Sequence, residues 1–304
     1  MYIQRIIVES LAASNIIKKV TSVGDDERPV VFWHGYGDSY NSTAMQHVIG
    51  IVRETKPDSY TYSIKLDDDD SKDQRLSMFS DVNMDIDYVC KQLREVDSLA
   101  NGFDMIGFSQ GGLFARAAVE RCALPVHTLI TFGSPHSGIS DLPKCSPNDW
   151  LCKKKNDALT KPGNIWRDWV QNTIVPAQYF RRRDDYYEYL EKSAFLADVN
   201  NERENKQQLY KDNLGSLERL VLIQFEQDQT VVPKCTAWFC DEDDEGNYVS
   251  FVDTKFYRKD LLGLKSLYDN GQIDFLSVDD DHMSFSDDYL REIAQRYLGK
   301  NSTA

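Results

Sequence analysis

The sequence predicts an α/β fold with a mostly parallel central sheet flanked by helices, and three observations carry that prediction. Short apolar runs alternate with segments of helical periodicity along most of the chain. The runs are continuous rather than alternating, as expected of strands buried on both faces between helices. Several of them end in turns rich in chemistry: Val30 to Trp33 leads into His34-Gly35-Tyr36-Gly37-Asp38, Phe103 to Ile106 into Gly107-Phe108-Ser109-Gln110-Gly111-Gly112, and Leu220 to Phe225 into Glu226-Gln227-Asp228.

Taken in order, residues 1–28 carry Ile3, Ile6, Ile7, Leu11, Ile16 and Ile17 loosely at helical spacing, then the polar Gly24 to Glu27. They read as an N-terminal extension, a peripheral helix or strand and a loop, ahead of a single domain over 29–304. Val30 to Trp33 is the first buried strand. Residues 45–54 read as a helix and 60–66 as a strand, and the acidic run Asp67 to Asp70 as a solvated loop. Over 82–99 apolar residues recur at Val82, Ile86, Val89, Leu93 and Val96, the stripe of an amphipathic helix packed on a sheet. The strand before Ser109 and the helix-forming Leu113 to Val119 after it make a strand, a very tight turn and a helix. That helix closes before Pro125, and Thr128 to Gly133 is the next strand. Residues 140–217 are rich in polar and aromatic side chains with no strand pattern, which predicts a helical insertion over the carboxyl edge of the sheet. Residues 219–225 and 273–278 complete the sheet, and a last helix starts at Ser286 as N-cap and stops at Gly299.

Composition narrows the function. A net charge of −14 argues against a nucleic-acid partner, since phosphate binding needs a basic face. No run approaches the roughly 20 apolar residues of a membrane span, and Glu9 interrupts Ile6-Ile7-Val8, so no secretory leader is visible. The six cysteines point towards an oxidising compartment all the same. They form no CxxC pair and have no histidine at zinc-ligand spacing, which favours disulfides over a metal. Of the many possible pairings, spacing selects Cys145 with Cys152 and Cys235 with Cys240, leaving Cys90 with Cys122. Sequons at Asn41 and Asn301 are compatible with a secretory route. A luminal protein is therefore expected, with a cytosolic chain of free thiols as the alternative; the oligomeric state stays open.

The chemistry rests on Gly107-Phe108-Ser109-Gln110-Gly111. In a nucleophile elbow the serine stands at a strained strand-to-helix corner, where larger neighbours would collide with the strand or helix. An alcohol attacks an acyl carbon only when a base takes its proton, and the base must be held in one tautomer by a third group. Ser109, Asp228 and His282 follow three strands in the order nucleophile, acid, base, which is that of the α/β-hydrolase fold. Among five histidines only His136 competes with His282, and it precedes the insertion rather than following the last strand. Glu226 and Asp279 to Asp281 compete with Asp228 as the acid. The backbone N–H groups of Gln110, just after the nucleophile, and Tyr36, in the loop after the first strand, are assigned to the oxyanion hole, with His34 bracing that loop.

The ordered set His34-Gly35-Tyr36-Gly37-Asp38, Gly107 to Gly112, Phe195-Leu196-Ala197-Asp198-Val199-Asn200, Tyr257, Leu262-Gly263-Leu264-Lys265 and Asp281-His282 resembles the lysosomal palmitoyl-protein thioesterases, the type 1 enzymes most closely. The resemblance runs from about residue 30 to 298. It implies hydrolysis of the thioester between a long fatty acyl chain and a protein cysteine, with S-palmitoylated proteins as partners, no cofactor and no metal. It also implies Ser109, Asp228 and His282 as triad, Tyr36 and Gln110 as oxyanion donors, disulfides Cys90 with Cys122 and Cys145 with Cys152, and a lysosomal or vacuolar lumen or secretion. Tyr36 stands where the family usually has Met, and Cys235, Cys240 and the acidic Asp241 to Glu245 look particular to this chain. Acyl selectivity requires an apolar groove, for which Trp166, Trp169, Ile174, Val175 and Phe180 of the insertion are the candidates. A carboxylesterase or lipase would share the triad, and a lipid-binding homologue without catalysis would share the fold.

Overall fold

The computed structural model describes residues 27–143, 150–161, 163–243 and 245–299. Residues 1–26 of the expected N-terminal extension over 1–28, the Cys145 to Cys152 pairing and the sequon at Asn301 lie outside the described residues. Six strands form the central sheet: β1 (Val30–Trp33), β2 (Thr61–Ser63), β3 (Phe103–Phe108), β4 (Val126–Phe132), β5 (Arg219–Phe225) and, after a small hairpin of β6 (Asp241–Glu242) and β7 (Tyr248–Val249), β8 (Ile273–Val278). Their order is β2-β1-β3-β4-β5-β8 and every neighbouring pair is parallel.

Strand periodicity divides the core. Val31, Trp33, Met105, Leu129, Leu220 and Leu222 point to one face and Val30, Phe32, Ile106, Ile130, Val221 and Ile223 to the other. Successive side chains of a strand alternate faces, so runs of four to seven apolar residues supply two cores at once. On the second face lie α1 (Thr43–Thr55), through Met45, Ile49 and Val52, and α13 (Asp287–Tyr297), through Leu290 and Ile293. On the first lie α3 (Val82–Arg94), through Val82, Ile86, Val89 and Leu93, and α4 (Gln110–Cys122). Burying one such side chain is worth about 1.5–3 kcal/mol, so these stripes and not helix propensity hold the layers.

The expected strands recur within a residue or two, with β2 shorter than its alternation suggests. Two readings change. The 82–99 helix ends at Arg94 and gives way to a 3-10 turn over Asp97–Leu99. The acidic run 67–70 is not only a loop: Asp69 caps a helix, α2 (Asp70–Leu76), by accepting from the Lys72 N–H, and Asp70 and Asp73 lie in its first turn. Carboxylates at a helix N-terminus satisfy orphan donors and complement the dipole, which is why four aspartates can nucleate a turn. At the other end of the chain Ser286 caps α13 as expected.

Between β4 and β5 the chain forms α5 (Trp150–Leu159), α6 (Asp168–Gln171), α7 (Val175–Gln178), α8 (Tyr186–Lys192), α9 (Leu196–Val199) and α10 (Gln208–Leu214). α11 (Lys255–Arg258) and α12 (Leu264–Asp269) precede β8. Disulfides join Cys90 of α3 to Cys122 of α4 and Cys235 to Cys240. No helix among the described residues is long and apolar enough to cross a membrane.

Candidate active site

Backbone geometry places Ser109 at the corner between β3 and α4, with φ at 52°, in the left-handed region that costs a non-glycine residue. Close packing keeps the corner tight. A Cβ on Gly107 would stand 2.3 Å from the Cα of Gly112, and one on Gly111 would stand 2.3 Å and 2.4 Å from the carbonyl oxygens of His34 and Trp33. The elbow helix thus rests directly on the end of β1, and only glycine allows the approach.

Two further strand ends, those of β8 and β5, bring the remaining groups to Ser109. His282, in the loop after β8, has Nε2 3.0 Å from Ser109 Oγ. Its Nδ1 lies 2.6 Å from Asp228 Oδ2. The second carboxylate oxygen of Asp228 accepts from the N–H groups of Thr230 and Val231 at 2.8 and 2.9 Å, which fixes the carboxylate's rotation. The competing acids go elsewhere: Glu226 pairs with Lys234, and the side chains of Asp279 and Asp280 bond to their own turn and to Gln227. His136 is fully buried, 2.9 Å from Thr131 Oγ1 and stacked on Phe239. Burial, reinforced by the neighbouring Arg116 charge, holds its pKa well below the usual value, so it stays a neutral core residue.

The loop after β1 is equally well held. His34 is buried, with Nε2 3.1 Å from Asp73 Oδ2 and Nδ1 3.0 Å from the Gly35 carbonyl. Burial would raise the Asp73 carboxyl, but His34 and the Leu66 and Tyr40 N–H groups outweigh it and hold it below the ordinary carboxylate range. Neither the Tyr36 N–H nor the Gln110 N–H meets a protein acceptor among the described residues. For Gln110 this follows from its place at the start of α4, where the helix dipole favours negative charge.

Ser109, His282 and Tyr36 open on a cleft of about 250 Å³ whose walls are mostly apolar, with Met45, Val48, Ile139, Val231, Met283 and Phe285 prominent. None of the five side chains expected to form an acyl groove lies there. Trp166, Val175 and Phe180 are buried, and Trp166 packs edge-on against Phe180, 5.9 Å between centroids. Trp169 and Ile174 instead line a second apolar groove of about 450 Å³ with Phe79 and Leu159. An insertion of short helices must first cover its own backbone, and its aromatics go into that core. The cleft walls escape sequence reading because they come from several separate loops and one helix; only Met45 and Val48, three apart on α1, share a detectable stripe. Asn41 is exposed, just before the α1 cap.

A parallel sheet in this order, with a serine elbow after β3, an aspartate after β5 and a histidine after β8, defines an α/β-hydrolase. A family model described as palmitoyl protein thioesterase matches residues 29–282. The chain belongs to the palmitoyl-protein thioesterase family. It is 35% identical to palmitoyl-protein thioesterase 1 of Caenorhabditis elegans over 89% of this chain and 91% of that one. It is 31% identical to palmitoyl-protein thioesterase 3 of Dictyostelium discoideum over 83% of each. It is also 27% identical to the lysosomal thioesterase PPT2 homolog of Drosophila melanogaster over 88% of each.

Proposed function

We propose that this protein is a serine thioesterase that releases long-chain fatty acyl groups, palmitoyl above all, from S-acylated cysteines of proteins. The observation that carries the reading is the continuous chain Ser109 Oγ, His282 and Asp228 at the head of an apolar cleft, in a member of a thioesterase family. His282 takes the Ser109 proton as Oγ attacks the thioester carbonyl. The C–S bond then breaks, His282 protonates the departing sulfur, and an acyl-Ser109 intermediate remains. Water, deprotonated by the same imidazole, hydrolyses it. Asp228 keeps Nδ1–H in place so that Nε2 is the basic nitrogen. The Tyr36 and Gln110 N–H groups receive the oxyanion of both tetrahedral intermediates.

A thiolate leaves readily, so selection falls on the acyl chain, at about 0.8 kcal/mol per buried methylene. The chain enters the cleft between Met45, Val48 and Phe285. The alternative route, along Trp169 and Ile174, would need the second groove to join the first. The compartment proposed is the lumen of a lysosome or vacuole, supported by the two disulfides and by the lysosomal name of the Drosophila relative, with Asn41 as a candidate glycan acceptor. The test is hydrolysis of a palmitoyl-cysteine peptide beside the matching oxygen ester. Turnover that favours the thioester and vanishes in Ser109→Ala is expected; preference for the oxygen ester would point to a carboxylesterase instead.

A further inference from the structure

The proposed oxyanion hole is made of two pieces of chain that share no backbone hydrogen bond: the loop carrying Tyr36 and the first residue of α4. Something must set the distance between them, because a donor displaced by a fraction of an ångström no longer meets the oxyanion. Three side chains from the last turn of α2 and the residue that caps it hold the loop. Asp73 Oδ2 accepts from the Tyr40 N–H at 2.8 Å, Gln74 Nε2 donates to the Gly37 carbonyl at 2.7 Å, and Ser77 Oγ accepts from the Gly37 N–H at 2.9 Å. Ser77 also reaches the other piece. Its carbonyl accepts from Gln110 Nε2 at 2.8 Å, while its own hydroxyl hydrogen goes to the Gln74 carbonyl at 2.6 Å. The remaining polar end of the Gln110 amide accepts from the Tyr179 hydroxyl at 3.0 Å, so that side chain is clamped from both ends. Ser77 and Gln110 are both buried, at 4% and 2% exposure, so water does not replace the bond between them.

We infer that Ser77 is a positioning residue of the oxyanion hole: it is bonded at once to Gly37, next to one donor, and to Gln110, which carries the other, and it sets their separation. The inference rests on the serine thioesterase reading and goes beyond it in assigning work to a residue that touches neither the substrate nor the triad. Removing the hydroxyl takes the side-chain acceptor from the half-buried Gly37 N–H and frees the loop to move relative to α4. The cost then appears wherever an oxyanion forms and nowhere else.

Two ligands separate these effects. With a palmitoyl trifluoromethyl ketone, Ser109 Oγ bonds to the carbonyl carbon, the π pair moves to oxygen as an oxyanion, and His282 holds the serine proton. A peptide carrying S-hexadecyl-cysteine has the same chain and no carbonyl. Ser77→Ala is expected to weaken ketone inhibition about tenfold or more, since loss of a whole donor costs about 10²–10³, and to lower kcat with KM unchanged. It should leave thioether affinity within about twofold, and Ser77→Thr should restore the ketone. Gln110→Leu, which cuts the same link from the other side and keeps the backbone N–H, should reproduce the loss and serves if Ser77→Ala does not fold. Equal weakening of ketone and thioether, or unchanged ketone inhibition in a folded variant, would overturn the assignment. A wild-type protein that the ketone does not inhibit through Ser109 would instead overturn the thioesterase reading on which it stands.

Discussion

Asp228 shows how much a single carboxylate controls. One oxygen is committed to two backbone N–H groups and the other to His282, so the side chain cannot rotate. In Asp228→Asn the amide oxygen takes the backbone donors and the NH₂ faces His282 Nδ1. The imidazole must then accept there, its proton moves to Nε2, and the base is lost. We expect kcat to fall on the order of 10⁴-fold with little change in melting temperature, measured by steady-state hydrolysis of a palmitoyl thioester. At the same scale, Val48→Asn should raise KM for a palmitoyl substrate far more than for a butyryl one. Equal effects on both would remove the acyl chain from that wall. Ser109 and His282 were legible because a strand end and a glycine-flanked serine have few alternatives. Ser77 and Asp73 were not, since their importance is a matter of which loop happens to pack against α2.

Among the elements, the α3–α4 pair is the best example of a long-range constraint. Both helices press on the same face of the sheet, and the Cys90–Cys122 bond, 32 residues apart in sequence, ties them behind the elbow. Loop-closure entropy for that separation gives about 3–4 kcal/mol. The double variant Cys90→Ser/Cys122→Ser should lose that order of stability in urea unfolding while the folded fraction keeps its kcat. A fall in kcat with no loss of stability would mean that the bond shapes the elbow rather than the unfolded chain. Helix α3 could be read from its apolar stripe, and α13 from its Ser286 cap, first-turn acids and Gly299 stop. Helix α2 could not, because its residues Asp70–Leu76 carry no stripe and only its capping chemistry marks it.

At the scale of the molecule, buried carboxyls set the response to pH. Burial pushes Asp85 up to about 6 and Glu120 up to about 7, the latter against the attraction of Arg116 at 2.8 Å. One Glu120 oxygen has no hydrogen-bond partner, which leaves it free to carry the proton. Unfolded carboxyls titrate near about 4. Between roughly pH 4 and 7 these two carboxyls hold more protons in the folded chain than in the unfolded one, so their contribution falls as pH rises, while His136, kept neutral by burial, opposes them below about pH 6.5. Glu202 works in the other direction. Burial opposes its charge, but Arg181 and Lys255 at 3.1 Å hold it at about 2, so its contribution is present above about pH 4 and is lost only as pH falls towards 2. Self-repulsion from a net charge of −14 at pH 7 adds to the loss at high pH. Melting should therefore occur several degrees higher at pH 5 than at pH 8, and Glu120→Gln should narrow the gap. A higher melting temperature at pH 8 would contradict this balance and would count against an acidic compartment.

The sequence by itself determined the main alternation of strands and helices, the elbow, and the serine and histidine that follow two of the strands, because these are local patterns of burial and turn chemistry read along one chain. The tertiary structure alone decided which acid turns towards His282, which aromatics fill the insertion's core and which side chains wall the cleft. It also decided that Ser77, just after α2, bonds both to Gly37 in the loop after β1 and to Gln110 at the start of α4. Those outcomes depend on contacts between residues tens to hundreds of positions apart, and no local period records a contact of that kind.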